Sequence, residues 1–95
     1  MHPIAYRGGM RVDIYESEAD PRKKLIVPAG TLVDGNFQID TTDPDYARLR
    51  AAHRIVQLRG GKKHQKHLNI DPDRIADIVD QIAGAGYALA MYPTH

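Results

Sequence analysis

Residues 71–92, DPDRIADIVDQIAGAGYALAMY, decide the fold that this sequence predicts. The opening Asp-Pro-Asp places a capping side chain, a first-turn proline and acidic charge where a helix begins. Four apolar residues follow at the i, i+3, i+4 and i+7 spacing of one helical stripe: Ile75, Ile78, Val79 and Ile82. Gly84 and Gly86 can supply the positive φ that ends a helix, and residues 87–92 are apolar on both faces. The stretch therefore predicts a helix followed by a covered central strand.

A second helix start of the same kind lies upstream, in Ile39–Asp45, IDTTDPD. It again combines a cap, a proline and an acidic first turn, which predicts a short helix over about residues 44–52. A strand follows at Arg54–Leu58. Two further short strands are predicted at Phe37–Ile39 and His67–Ile70.

Two arrangements of these elements are open. Read as two βαβ units, residues 37–92 form βαββαβ, the ferredoxin-like arrangement. The first crossover would be residues 40–53, close to the minimum of about 10–12 residues for a parallel connection. The alternative is an antiparallel sheet with two helices on one face. Both belong to the α+β class.

A β-hairpin is predicted ahead of these units. Arg11–Tyr15 alternates between apolar and polar residues, and the apolar run Leu25–Val27 pairs back on it. Residues 10–95 are predicted to form a single α+β domain, because a chain of 95 residues has no room for a second core. Residues 1–9 lack the apolar segment of a signal peptide and are expected to be a disordered extension.

Three short motifs resemble an uncharacterised family of short proteobacterial proteins. The motifs are Met10–Tyr15, MRVDIY, then Val27–Gly30, VPAG, and Gly86–Ala88, GYA. Members of that family open with an MRVDIY strand, carry a VP-x-G segment and finish with a GYA-type strand. The resemblance implies a small cytosolic α+β protein, and it implies no particular chemistry.

The basic stretch, residues 54–67, sets the functional expectation. It holds five Lys and Arg and no acid, whereas residues 1–53 hold seven bases against eight acids. The formal net charge of +1 therefore conceals a local cation that attracts anionic partners. Clustered cations gain affinity for nucleic acid by releasing counterions from phosphates, and Gly60-Gly61 allows close backbone approach. The predicted contact residues are Arg54, Arg59, Lys62, Lys63 and Lys66.

We therefore expect a cytoplasmic, non-enzymatic binding module whose first partner is DNA or RNA. The same composition is typical of a solvated surface loop, and the stretch has no aromatic side chain on which bases could stack. His64 and His67 are spaced as a weak alternative metal site, but the neighbouring lysines would repel a divalent ion. The absence of cysteine excludes disulfides and thiolate metal sites, and no cofactor is expected.

Asp13 suggests a metal-dependent nuclease as an alternative. Small ferredoxin-like nucleases of the CRISPR-associated type place a metal-binding Asp near the end of their first strand, and Asp13 resembles it. Mg²⁺ held between two carboxylates could activate water on a phosphodiester. The competing interpretation is that Asp13 is an exposed strand residue without a catalytic role.

A homo-oligomeric interaction module, such as a dimer, is the third hypothesis. The small core leaves surface that a second copy could bury. Asp73, Asp77 and Asp80 share the outer face of the second predicted helix, and this acidic face could dock on the basic stretch of another copy. No apolar run approaches the ~20 residues that span a bilayer, so no membrane association is expected.

Overall fold

The computed structural model describes residues 10–34, 36–58 and 72–91. The described strands are β1 (Met10–Ser17), β2 (Lys23–Pro28), β3 (Leu49–Leu58) and β4 (Ala88–Met91). They form one sheet in the order β3-β1-β2-β4, and all three pairings are antiparallel. The described residues also contain an α-helix, α1 (Pro72–Ala85), and a short 3-10 helix (Pro44–Ala47). The α+β class is therefore confirmed.

The hairpin of β1 and β2 that the sequence predicts is present, but it forms the centre of the described sheet and is not an addition to it. Asp13 lies opposite Val27, and Tyr15 lies opposite Leu25. Because side chains alternate along a strand, these residues share one face, and Ile14 belongs to the other face. Both faces of the hairpin contain side chains that are almost wholly buried, among them Ile14, Leu25 and Val27.

Helix α1 covers the face to which Ile14 belongs. Its buried side chains are Ile75, Ile78 and Ile82, which confirms the stripe predicted from their spacing. They join a core made with Val12, Ile14, Ile26, Leu58 and Ala88 of the four strands. Each isoleucine buried in this way contributes roughly 1.5–3 kcal/mol.

Gly86 ends α1 in the predicted manner. It has a φ of +87°, and its N–H donates a hydrogen bond to the Ile82 carbonyl oxygen at 2.8 Å. This left-handed residue turns the chain into β4, which returns beside β2. Gly84, by contrast, lies inside the helix.

An irregular segment, described at residues 29–34 and 36–48, contacts the face of the sheet opposite α1. The rings of Phe37 and Tyr87 meet edge to face with their centroids 5.9 Å apart. The Asp40 N–H donates to the Tyr87 hydroxyl oxygen at 2.7 Å, and the Ser17 hydroxyl donates to the Asp45 carbonyl oxygen at 2.6 Å. These contacts, together with the burial of Leu25, indicate that the segment takes the place of a second helix as the cover of this face.

The predicted helix over residues 44–52 is wrong beyond its first turn. Asp43 caps the start, since its carboxylate accepts a hydrogen bond from the Asp45 N–H at 3.0 Å. The chain then becomes extended at Arg48, and residues 49–51 pair with β1. Backbone pairing with a central strand thus overrides the local helix signal.

The ferredoxin-like arrangement is not found among the described residues, and neither are two α-helices on one face. Phe37–Ile39 is not a strand, so the first βαβ unit has no first strand and no crossover helix. The strand order and the antiparallel pairing also differ from two parallel βαβ units. Within the described sheet, β4 is an edge strand and not the predicted central one. The predicted strand His67–Ile70 lies outside the described residues.

Candidate functional site

Strand β3 forms an edge of the described sheet, and its pairing with β1 is irregular in two places. Val12 lies opposite Val56 and Ile14 lies opposite His53, so Arg54 and Ile55 together face the single residue Asp13. This two-against-one pairing is a β-bulge, which bends the strand and redirects its side chains. We call Arg54 and Ile55 the β3 bulge.

The carboxylate of Asp13 holds the β3 bulge in place. Its side chain is only 1% exposed. One oxygen, Oδ1, accepts the Ile55 N–H at 2.8 Å, and the other, Oδ2, accepts the Gly30 N–H at 3.1 Å. The Arg54 Nε lies 4.0 Å from Oδ1. Asp13 thereby joins β3 to the turn that follows β2.

The pKa of Asp13 lies below its usual value. Burial is the largest single influence and opposes ionisation, but the hydrogen bonds from Ile55 and Gly30 and the charge of Arg54 together outweigh it. The carboxylate is therefore ionised at neutral pH. The expectation that Asp13 is an exposed strand residue is wrong, because the bulge and the turn enclose it.

The environment of Asp13 does not fit the nuclease alternative. Both oxygens already accept backbone N–H groups, and the side chain is almost wholly out of contact with solvent. A metal ion that activates water needs a carboxylate that reaches an open coordination position. Among residues 10–34, 36–58 and 72–91, no group of three or more His, Asp or Glu side chains could hold a metal ion.

Ile55 is the unusual residue of the β3 bulge. Its φ is +55°, in the left-handed region that a β-branched residue rarely adopts, and 65% of its surface is exposed. The hydrogen bond to Asp13 occupies its N–H and holds this conformation. The bulge thus presents an aliphatic side chain to solvent beside the guanidinium of Arg54, whose side chain is 63% exposed.

Arg11 is a candidate contact residue that the sequence reasoning missed. It lies opposite Gln57, near the end of β3, and it is exposed. By strand alternation it shares the face of Asp13, toward which Arg54 is directed. Arg11 forms no ion pair with any described residue. The alternation of Arg11 with Val12 places Arg11 on the opposite face of the strand from Val12. The sequence does not predict that β1 pairs with β3, so this alternation alone does not connect Arg11 with Arg54.

The remaining predicted contact residues lie outside the described residues. These are Arg59, Lys62, Lys63 and Lys66, with His64 and His67 of the weak metal alternative. Because Met10 pairs with Leu58, the chain enters the rest of the basic stretch next to the start of β1, where Arg11 lies. The structure therefore brings Arg11 and Arg54 to the region from which that stretch departs.

Several other cations are engaged by carboxylates. Glu16 accepts from Arg50 Nε at 2.8 Å and from Lys24 Nζ at 3.1 Å, and these bonds outweigh the opposing effect of burial and lower the pKa of Glu16. Lys23 bridges Asp43 and Asp45, which raises its pKa and ties the 3-10 helix to β2. These ion pairs stabilise the hairpin and its cover.

A cleft of about 550 Å³ is lined mainly by the irregular segment, including its 3-10 helix, and neither residue of the β3 bulge lines it. Its charged lining residues are Glu18, Asp34, Asp43 and Arg48. Burial and the charge of Asp43 raise the pKa of Tyr46, which also lines the cleft. An acid-rich cleft repels phosphates, so it is not where an anionic partner would bind.

Comparison with known proteins identifies no relative: no protein-family model, curated protein or solved structure matches this chain. The family resemblance of Met10–Tyr15 and the two shorter motifs stays a prediction. Among the described residues, no helix has both the length and the apolar character needed to cross a bilayer.

Proposed function

We propose that this protein is a cytoplasmic, non-enzymatic module that binds nucleic acid through the basic stretch. The observation that supports this function is the position of two exposed arginines, Arg11 and Arg54, on one face where β3 ends. The remaining cations of the basic stretch follow in the chain directly after β3. Arginine side chains bind phosphate oxygens through several N–H groups at once, which suits them to a nucleic-acid backbone.

The distribution of charge favours one orientation of such a partner. Strand β3 contains Arg50 and Arg54 and no acid. The acid-rich cleft lies elsewhere, and the exposed side of α1 carries Asp77 and Asp80. A polyanion is therefore attracted to the end of β3 and repelled from the helix, which orients it before contact.

The function is tested by fluorescence anisotropy with labelled DNA and RNA oligonucleotides, titrated at several salt concentrations. Each phosphate that a cation neutralises contributes about −0.7 to −0.9 to the slope of log affinity against log salt. The double variant Lys62→Ala/Lys63→Ala should make that slope shallower by about 1.4–1.8 and weaken binding to every sequence.

The matched control removes two cations that lie outside the basic stretch. Arg22→Ala/Arg74→Ala changes the net charge by the same amount, since both residues are exposed and neither belongs to the basic stretch. It should leave the salt slope unchanged. Absence of binding at low salt, or an equal loss in both double variants, would overturn the proposal.

We propose self-association as the second candidate function, supported by the acidic side of α1. Asp77 and Asp80 are exposed, and the last turn of the helix has no base. This surface is complementary in charge to the basic stretch of a second copy. Sedimentation should then show a dimer that dissociates in high salt and in Asp77→Asn/Asp80→Asn. A monomer at low salt would exclude it.

A further inference from the structure

We propose that the β3 bulge makes the groove contact of this module with a nucleic-acid duplex, and that Asp13 is the residue that positions it. In this arrangement Ile55 places its aliphatic side chain in the groove while Arg54 binds an adjacent phosphate. The inference rests on the proposed function, and it adds to the charge contacts an aliphatic contact that does not depend on charge.

The conformation of Ile55 is the first support. A β-branched residue at φ +55° is disfavoured, and such residues persist only where their surroundings enforce the conformation. Burial of the side chain does not offset the backbone strain, because 65% of the residue surface is exposed. Glycine would adopt this backbone conformation without strain. An isoleucine kept there, with its side chain in solvent, indicates that the side chain has a contact to make.

The buried carboxylate beneath the bulge is the second support. Asp13 accepts the Ile55 N–H and so holds the backbone of the bulge, and its carboxylate lies 4.0 Å from the Arg54 Nε. Its second oxygen is bound to the Gly30 N–H, which anchors the carboxylate to the far side of the hairpin. The aliphatic and cationic side chains are therefore presented together on a rigid base, as a contact element requires.

The chemistry of β3 favours a duplex over a single strand or a protein. Leu49–Leu58 contains no Phe, Tyr or Trp, and single strands are bound largely by stacking on such rings. Aliphatic side chains that enter a groove beside cations are typical of proteins that bind duplexes. A protein that adds a strand needs an unbroken edge, and the irregular pairing of β3 interrupts it.

The test compares Ile55→Gly with the parent protein on a labelled DNA duplex, an RNA duplex and the matching single strands. Loss of a buried aliphatic contact should weaken duplex binding about 5- to 30-fold. The salt slope should not change, because no charge is removed, and the melting temperature should rise as the strain is relieved. Arg54→Gln should instead make the salt slope on the DNA duplex shallower by about 0.9.

Leu32→Gly is the matched control, since Leu32 is also an exposed aliphatic residue and is 75% exposed. It should leave duplex affinity unchanged. If Ile55→Gly behaves like this control while Lys62→Ala/Lys63→Ala weakens binding and makes the salt slope shallower, the groove contact is wrong and the proposed function stands. An equal loss on single strands overturns the assignment to a duplex. Absence of binding by the parent protein overturns both proposals.

Discussion

Replacement of Asp13 by asparagine should destabilise this protein far more than its position in a short strand suggests. Asn has the shape of Asp but only one acceptor oxygen, and its amide group is a donor. Because the Ile55 and Gly30 N–H groups reach different oxygens of Asp13, one of them would face the Asn amide, donor against donor. That N–H group would then lose its partner next to a side chain that is almost wholly buried.

The magnitude follows from these two hydrogen bonds. A hydrogen bond to a charged acceptor contributes about 1.5–3 kcal/mol, and a buried donor left without a partner costs about 1–3 kcal/mol. Arg54 adds little, because its side chain is 63% exposed and its distance to Asp13 is 4.0 Å. Relief from burying a charge offsets part of the loss. The free energy of unfolding of Asp13→Asn should therefore fall by about 2–4 kcal/mol.

Urea unfolding followed by circular dichroism measures this loss. With a slope of about 2 kcal/mol per molar, the middle of the usual range for small domains, the midpoint should fall by about 1–2 M. Asp80→Asn is the control, because it makes the same chemical change on the exposed side of α1 and should alter stability by no more than about 0.5 kcal/mol. A midpoint for Asp13→Asn equal to that control would refute the bulge-holding role. A raised midpoint would instead indicate a carboxylate kept at a cost for chemistry, and would restore the nuclease alternative.

Two further predictions concern acid and the end of the helix. Because the pKa values of Asp13 and Glu16 are lowered in the folded protein, the stability they contribute is complete above their unfolded pKa values, about 3.9 and 4.3, and is lost as the pH falls through the folded values. The contribution of these two groups to the urea midpoint should thus change little between pH 7 and 5. At pH values below about 4 the midpoint should decrease, and it should decrease less steeply in Asp13→Asn than in the parent protein. An identical acid profile for the variant would contradict this. In thermal unfolding, Gly84→Ala should be more stable than the parent protein by roughly 0.5–1 kcal/mol, because Gly84 is helical and a Cβ there meets open space. Gly86→Ala should be less stable by about 1 kcal/mol, because the φ of Gly86 is +87°. Shifts of the same sign in the two variants would show that the helix ends elsewhere.

The parts of the fold that sequence predicts well are those whose signals are local. Helix α1 follows from a period of 3.6 residues and a glycine stop, and its three buried isoleucines were identified from spacing alone. The β1–β2 hairpin follows from alternation and an apolar run separated by a polar loop. In both cases the residues whose spacing predicts the element are also the residues that pack or pair within it.

Residues 44–52 show where local reasoning fails. The Asp-Pro-Asp signal is real, and Asp43 does cap a turn of helix. That local signal carries no information about the edge of β1, which pairs with residues 49–51, so that β3 begins at Leu49. Such a pairing joins residues more than thirty positions apart, so no short window of sequence can reveal it.

The candidate site depends on the same kind of long-range contact. Asp13 and Ile55 are 42 residues apart in sequence, and the hydrogen bond between them exists only because β3 bulges opposite β1. The sequence showed an acid inside a strand, and metal chemistry was one interpretation of it. The bulge gives a second interpretation of Asp13, because a carboxylate that accepts two backbone N–H groups holds the neighbouring residues in position.

The way the sheet is covered distinguishes the β3 bulge from the rest of the described fold. One face of the sheet packs against α1, and the other is contacted by the irregular segment, which hydrogen bonds and ion pairs tie to the hairpin. In these parts of the fold the core side chains are apolar and buried, and the polar groups named here have hydrogen-bond or ion-pair partners. The β3 bulge breaks two rules at once, since it holds Ile55 at a positive φ and leaves the side chain in solvent beside an arginine. This violation of local preference, which a single substitution to glycine would remove, is the observation on which the proposed contact of Ile55 rests.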